Sequence, residues 1–156
     1  MASGLQRELK QSKPFGSLQE EVFLSALRTA DHLLWGEVAI LREADLTFPQ
    51  YNVLRILRGA EPDGISCREI SERMVTRDSD ITRLLDRLEA RRLVARGRHP
   101  DDRRVIVPRI TSQGLALLEE LDPPIARVHK DQLRHMNSKQ LSALAELLQL
   151  ARQGGP

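Results

Sequence analysis

Cysteine is almost missing: Cys67 stands alone in 156 residues, so no internal disulfide can form. Aromatic side chains are scarce at 3%, and Leu, Ile, Val and Ala dominate the apolar content, which favours helix–helix packing over a β-sandwich. No segment approaches the roughly 20 apolar residues of a membrane span. The first stretch, MASGLQRELKQSKPFG, lacks the apolar centre of a signal peptide. These absences together point to the cytoplasm. No G-x-S-x-G, Gly-rich phosphate loop or pair of catalytic carboxylates is found, so no enzyme is expected. His129 and His135 are six residues apart, which is not a helix-face pair, and neither has a Cys nearby. No metal and no cofactor is therefore expected. No repeat of about 20 to 50 residues is visible.

What is present is organised around residues 64 to 111. Ser66-Cys67-Arg68-Glu69 is a capping box, in which the Ser66 hydroxyl accepts from the Glu69 amide and the Glu69 carboxylate accepts from the Ser66 amide. Ile65 and Ile70 occupy the staple positions around it. This helix should run to about Met74 or Val75. A short break from Thr76 to Ser79 follows. Ile81, Leu84, Leu85 and Leu88 then form the i, i+3, i+4, i+7 stripe of a second helix. Its other face carries Ser79, Thr82, Arg83, Asp86 and Arg87. Two helices joined by so tight a turn read as a helix-turn-helix, whose second helix enters the major groove.

The β-prone runs Leu93–Arg98 and Val105–Ile110 are joined by 99–104, which reads as a hairpin. Pro108 cannot donate to a ladder, so its strand is an edge or carries a bulge. From Arg91 to Arg104 six Arg and two Asp give +4, although the whole chain carries only +2. A basic hairpin beside a helix-turn-helix is the layout of a winged helix, with Arg suited to phosphates and to a minor groove.

The run DITRLLDRLEARRLVARGRHPDDRRVIVPRITSQG resembles the MarR (multiple antibiotic resistance regulator) family of bacterial transcription factors. The resemblance is carried by L-x-R-L-E at the end of the recognition helix, L-V-x-R in the first strand, the D-x-R wing tip and the T-x-x-G helix start. It implies that Arg104 probes the minor groove and that Asp102 holds the wing in shape. It also implies that Arg83 and Arg87 face DNA. The family usually has Gly after the recognition helix, where this chain has Arg92.

Outside this stretch the chain reads as helices. Residues 1–16, with Pro14 and Gly16, read as a flexible arm. Ser17 to Glu20 is another S-x-x-E box, opening a helix to about Arg42 or Glu43. About 26 residues of helix span roughly 40 Å, too long for so small a fold to bury alone, and so suggest a partner. Thr47 and Gln50 cap the next helix, with Pro49 in its first turn. Pro62-Asp63-Gly64 is a turn. After the wing, Thr111 caps a helix that Pro123-Pro124 should break or kink, with a restart from Ile125 to about Met136. Asn137 and Gln140 cap a last helix bearing Leu141, Leu144, Leu147 and Leu148.

The expected fold is mainly α with a small β-hairpin wing. A single domain over 17–151 holds a winged helix at about 47–110, and helices at about 17–43 and 112–151 flank it; 152–156 is a frayed tail. The resemblance implies that the flanking helices form a homodimer. Such a dimer presents two recognition helices about 34–36 Å apart, so it reads a pseudo-palindrome in double-stranded DNA.

The candidate DNA-contacting residues are Arg77, Ser79, Thr82, Arg83, Arg87, Asp102, Arg103 and Arg104. The alternative for Arg83 and Arg87 is a solvated face with Arg83–Asp80 and Asp86–Arg87 pairs. The resemblance implies a small aromatic or phenolic effector between the first two helices and the winged helix, with His32, Trp35 and Tyr51 as candidates to touch it. Against this stands a role for Trp35 and Tyr51 in core or interface, with His32 at the surface. An amide at Asn52, where urate-recognising relatives carry an acid, argues against urate. Cys67 reads as a small half-buried side chain, with redox sensing as the sharper alternative. The function implied is a dimeric, ligand-responsive DNA-binding regulator, a repressor by family resemblance. The rival is a winged-helix protein-interaction module without specific DNA binding, which has no need of paired Arg at the wing tip.

Overall fold

The computed structural model describes residues 3–77, 80–99, 101–102 and 104–154. Among these, seven helices and one hairpin follow in order: α1 (Gly4–Glu8), α2 (Leu18–Glu43), α3 (Phe48–Arg58), α4 (Cys67–Arg73), α5 (Ile81–Ala90), β1 (Val94–Arg98), β2 (Ile106–Ile110), α6 (Ser112–Leu133) and α7 (Ser138–Ala151).

The caps explain most boundaries. Ser66/Glu69, Thr47/Gln50 and Asn137/Gln140 each close a full capping box, and so fix the starts of α4, α3 and α7. Ser17 also caps α2 through the Glu20 amide, but Glu20 reaches one residue further back and accepts from the Gly16 amide at 2.7 Å. Asp80 caps α5 through the Arg83 amide at 2.9 Å.

The end of α5 resolves the substitution at Arg92. Arg92 takes a left-handed φ of 59°. Its amide donates to Glu89 O at 2.8 Å, and the Leu93 amide donates to Leu88 O at 3.0 Å. This is a Schellman motif, built on Arg where Gly is commoner. The helix-to-strand passage is therefore preserved, at the cost of a side chain in the left-handed region.

Two expectations are corrected. Gly4–Glu8, placed in a flexible arm, is a short helix that buries Leu5 and pairs Glu8 with Arg28 of α2 at 3.0 Å. Pro123 and Pro124 do not break the helix after the wing: α6 runs through them from Ser112 to Leu133 without a restart. The two missing amides orphan the carbonyls of Glu119 and Glu120, four residues upstream. Both residues are exposed, where water can serve those carbonyls. Leu118, Leu121 and Ile125 meanwhile hold the opposite side of α6 in the core.

The core lies under α3, α4 and α5. Leu54, Leu57, Ile70, Leu85 and Leu88 are fully enclosed there, joined by Leu41 from α2 and Leu118 from α6. All four residues of the α5 stripe are buried. The hairpin pairs Val94 with Ile110 and Arg96 with Pro108, so Pro108 sits in a two-stranded sheet where both strands are edges. Gly114 is fixed by crowding: a Cβ there would lie 2.4 Å from Leu93 O, because α6 starts hard against the end of α5. Thr111 closes the same corner, capping α6 through Gly114 and donating from its hydroxyl to Arg92 O at 2.7 Å.

The terminal helices differ. No residue of α7 is buried. Leu147, Leu148 and Leu150 face outward, as do Leu18, Val22, Phe23 and Leu27 of α2. Among the described residues no helix is long and apolar enough to cross a membrane.

Candidate nucleic-acid interface

The turn before α5 is fastened from inside. Asn52 on α3 is buried, and its Oδ1 accepts from the Val75 amide at 2.8 Å. This fixes the chain as it leaves α4, so Asn52 has a structural task. With α5 seated on its four buried apolar residues, Thr82, Arg83 and Arg87 are exposed on its other side. The expected pairing partners of the two arginines are engaged elsewhere. Asp80 caps the helix, and Asp86 accepts from Arg96 at 2.6 Å. Among the described residues neither Arg83 nor Arg87 has an ion-pair partner.

Arg96 clamps the wing to α5. Its guanidinium reaches both Asp86 and Glu89, and its amide donates to Glu89 Oε1 at 3.2 Å. The hydrogen bond to Asp86, above all, holds its pKa above the ordinary guanidinium value, with the Glu89 charge adding to it. Arg91 is also committed, donating to the Ala44 and Asp45 carbonyls at the end of α2. So two of the six arginines counted in the basic stretch, Arg91 and Arg96, serve the fold.

At the tip, Asp102 Oδ1 accepts from the Arg104 amide at 3.0 Å, and Asp102 O accepts from the Val105 amide at 3.0 Å. The His99 amide donates to Val105 O at 2.8 Å across the base. The Asp102 carboxylate thus shapes the loop from which Arg104 projects into solvent. Arg77 is exposed just before the α5 cap. Ser79 and Arg103 lie outside the described residues.

The three residues expected around an effector do not converge. His32 and Trp35 border an open cleft between α1 and α2. Trp35 is 67% exposed and lies 5.8 Å from the Arg42 guanidinium. Tyr51 is 2% exposed in the core, where burial pushes its phenol pKa up against the opposing charge of Arg55. Cys67 is exposed rather than half-buried.

A different cleft, of about 270 Å³, lies where α2, α3 and α6 meet. Ala30, Leu33, Leu34, Phe48 and Leu133 make most of its wall apolar. Glu37, buried, and His129 share a hydrogen-bond contact of 2.8 Å there. Gln132 completes the lining and donates to the His32 and Leu33 carbonyls at 3.3 and 3.1 Å. Sequence reasoning missed this group. The available signal was one acid, Glu37, set among Leu33, Leu34 and Leu41 at helical spacing.

Comparison with known proteins agrees with this architecture. Residues 44–105 match the model of the MarR family. The chain is 37% identical over 84 residues to the transcriptional regulator TtmR of Methylorubrum extorquens; the match covers 54% of this chain and 42% of TtmR, so less than half of that relative is represented. Among solved structures, a MarR transcription factor from Planctomyces limnophilus is 40% identical with a TM-score of 0.65, covering 87% of this chain and 98% of that one. The PcaV regulator of Streptomyces coelicolor, solved with its natural ligand, is 28% identical with a TM-score of 0.66, covering 81% and 90%.

Proposed function

The chain belongs to the MarR family, and from that premise we propose that it is a dimeric, sequence-specific DNA-binding regulator, a repressor released by a small-molecule effector. One observation carries the reading: Arg83, Arg87 and Arg104 are exposed without ion-pair partners among the described residues, while the neighbouring Arg91 and Arg96 are locked into the fold. Leaving three guanidiniums unpaired on α5 and the wing suits phosphate and base contact, and a protein-interaction module has no use for it. Thr82 and Arg77 flank these contacts, Ser79 and Arg103 fall in the same two segments, and Asp102 positions the wing.

The dimer is supported by α7, which has no fully buried residue and leaves Leu147, Leu148 and Leu150 exposed, and by the outward apolar residues at the start of α2. Joined across a two-fold axis, these helices set the distance between two recognition helices. An effector that binds better to one dimer geometry shifts the population toward it, in proportion to its differential affinity. PcaV, solved in complex with its natural ligand, is a relative that binds a ligand. No enzymatic role is assigned, and the reading places the protein in the cytoplasm with the DNA.

The test is fluorescence anisotropy on the intergenic DNA beside the gene at two salt concentrations. Saturable binding that survives competitor DNA is expected. Arg104→Ala should weaken it about tenfold or more and reduce the salt slope by about one. Equal, salt-abolished binding to random DNA removes the reading.

A further inference from the structure

We infer that the cleft between α2, α3 and α6 binds a small molecule with an apolar body and a cationic, donor-only head group, an amine or amidine, held by Glu37. This rests on the function proposed above only in taking the cleft as the effector's place.

Glu37 is 7% exposed. An ionised carboxylate can accept about four hydrogen bonds. Among the described residues the Glu37 carboxylate is served once, by His129 Nε2 at 2.8 Å. Gln132 spends its amide nitrogen on two backbone carbonyls of α2, and its Oε1 is buried without a partner among the described residues. The cause is a tight helix crossing: a Cβ on Gly36 would lie 2.7 Å from Val128 and 2.9 Å from Gln132 Nε2. The cleft therefore offers one underused acceptor, the Glu37 carboxylate, and one donor, His129, which Glu37 already consumes; Gln132 Oε1 is enclosed and cannot relieve the shortage of donors.

Such a site selects by charge. An acidic head group would add a like charge beside Glu37 and another acceptor where donors are short. A cationic nitrogen supplies N–H donors, and its bond to a carboxylate is charge-assisted. Phe48 in the wall offers a ring to the same cation. The volume of about 270 Å³ has room for a single-ring compound.

Benzamidine and benzoate test this, since they share a ring and carry opposite head groups. Calorimetry on the full chain should show benzamidine binding at least about tenfold tighter than benzoate. Glu37→Gln should lose about tenfold or more of that affinity. Ala30→Phe, at the exposed rim, should also weaken it by filling the cleft with Glu37 intact. Benzoate binding as tightly, benzamidine binding unchanged in Glu37→Gln, or no saturable benzamidine binding overturns the inference. If Glu37→Gln does not fold, the benzamidine–benzoate ratio together with Ala30→Phe decides. Operator binding is measured in parallel. Specific DNA binding without benzamidine binding sinks the cleft and leaves the regulator. Benzamidine binding without specific DNA binding does the reverse.

Discussion

The centre and the ends of this chain use the same residue, leucine, for opposite purposes. In α5 a leucine stripe faces inward and closes a core with α3 and α4. In α7 a similar stripe, at helical spacing and behind a complete capping box, has no buried member: Leu141 and Leu144 are half-buried and Leu147 and Leu148 exposed. Local sequence specifies both helices equally well. What differs is where the apolar face finds its cover, and that is decided by the neighbours. Periodicity therefore reports that a face is to be buried, and leaves open whether its own fold or a second copy does it.

The sharpest way to break the comparison is one substitution made in both places. Leu88→Ala, in the closed core, should cost about 2–5 kcal/mol, read as a lowered urea midpoint that does not depend on protein concentration. Leu147→Ala, at 63% exposure, should change the stability of an isolated subunit by no more than about 0.5 kcal/mol. Its effect should appear as a dimer that dissociates at higher concentration in a sedimentation dilution series. Equal, concentration-independent losses at the two sites would mean that α7 is covered within the subunit.

A smaller effect sharpens the description of the centre. Arg92→Gly should relieve the left-handed backbone at the end of α5 and raise stability by up to about 1 kcal/mol, net of the extra freedom of Gly in the unfolded chain. A loss of stability would show that the Arg92 side chain contributes something the cap geometry does not require.

The smallest effect is on acid stability. The Ser66 amide, then its hydroxyl, holds the Glu69 carboxyl below the usual range. A carboxyl whose pKa is lowered on folding stabilises the native state above its unfolded value, near about 4.3. That stabilisation is lost as pH falls through the lower folded value. Glu69→Gln should flatten this part of the acid-unfolding curve and leave the neutral-pH side of its shape unchanged. An identical acid limb in the two proteins would remove the capping box from the pH response.

Much of the fold was legible because its signals are local. The Ser66–Glu69 and Thr47–Gln50 boxes span four residues each, and the Ile81 to Leu88 stripe spans eight. The wing, with its D-x-R tip and T-x-x-G exit, is a local sequence too, and the structure gives physical grounds for its parts: Asp102 folds the tip, and Gly114 leaves space for Leu93 O. The rest depends on partners far along the chain. Glu37 and His129 are 92 residues apart, and Asn52 meets Val75 across 23. Nothing in the spacing of either residue points to the other. Pro123-Pro124 misled for a related reason: the rule weighs the lost amides, whereas the outcome depends on whether the freed carbonyls reach water and whether the opposite side is held.

The same proline pair divides α6 into two members with different attachments. Before it, Asp122 is tied to Arg58 of α3 at 2.7 Å, so this half belongs with the winged helix. After it, His129 and Gln132 are tied to α2, so that half belongs to the long terminal helix. A rod missing two adjacent rungs is less stiff there than anywhere else along its length. Between the winged helix and the long terminal helix, the chain has placed a soft joint in an otherwise continuous strut.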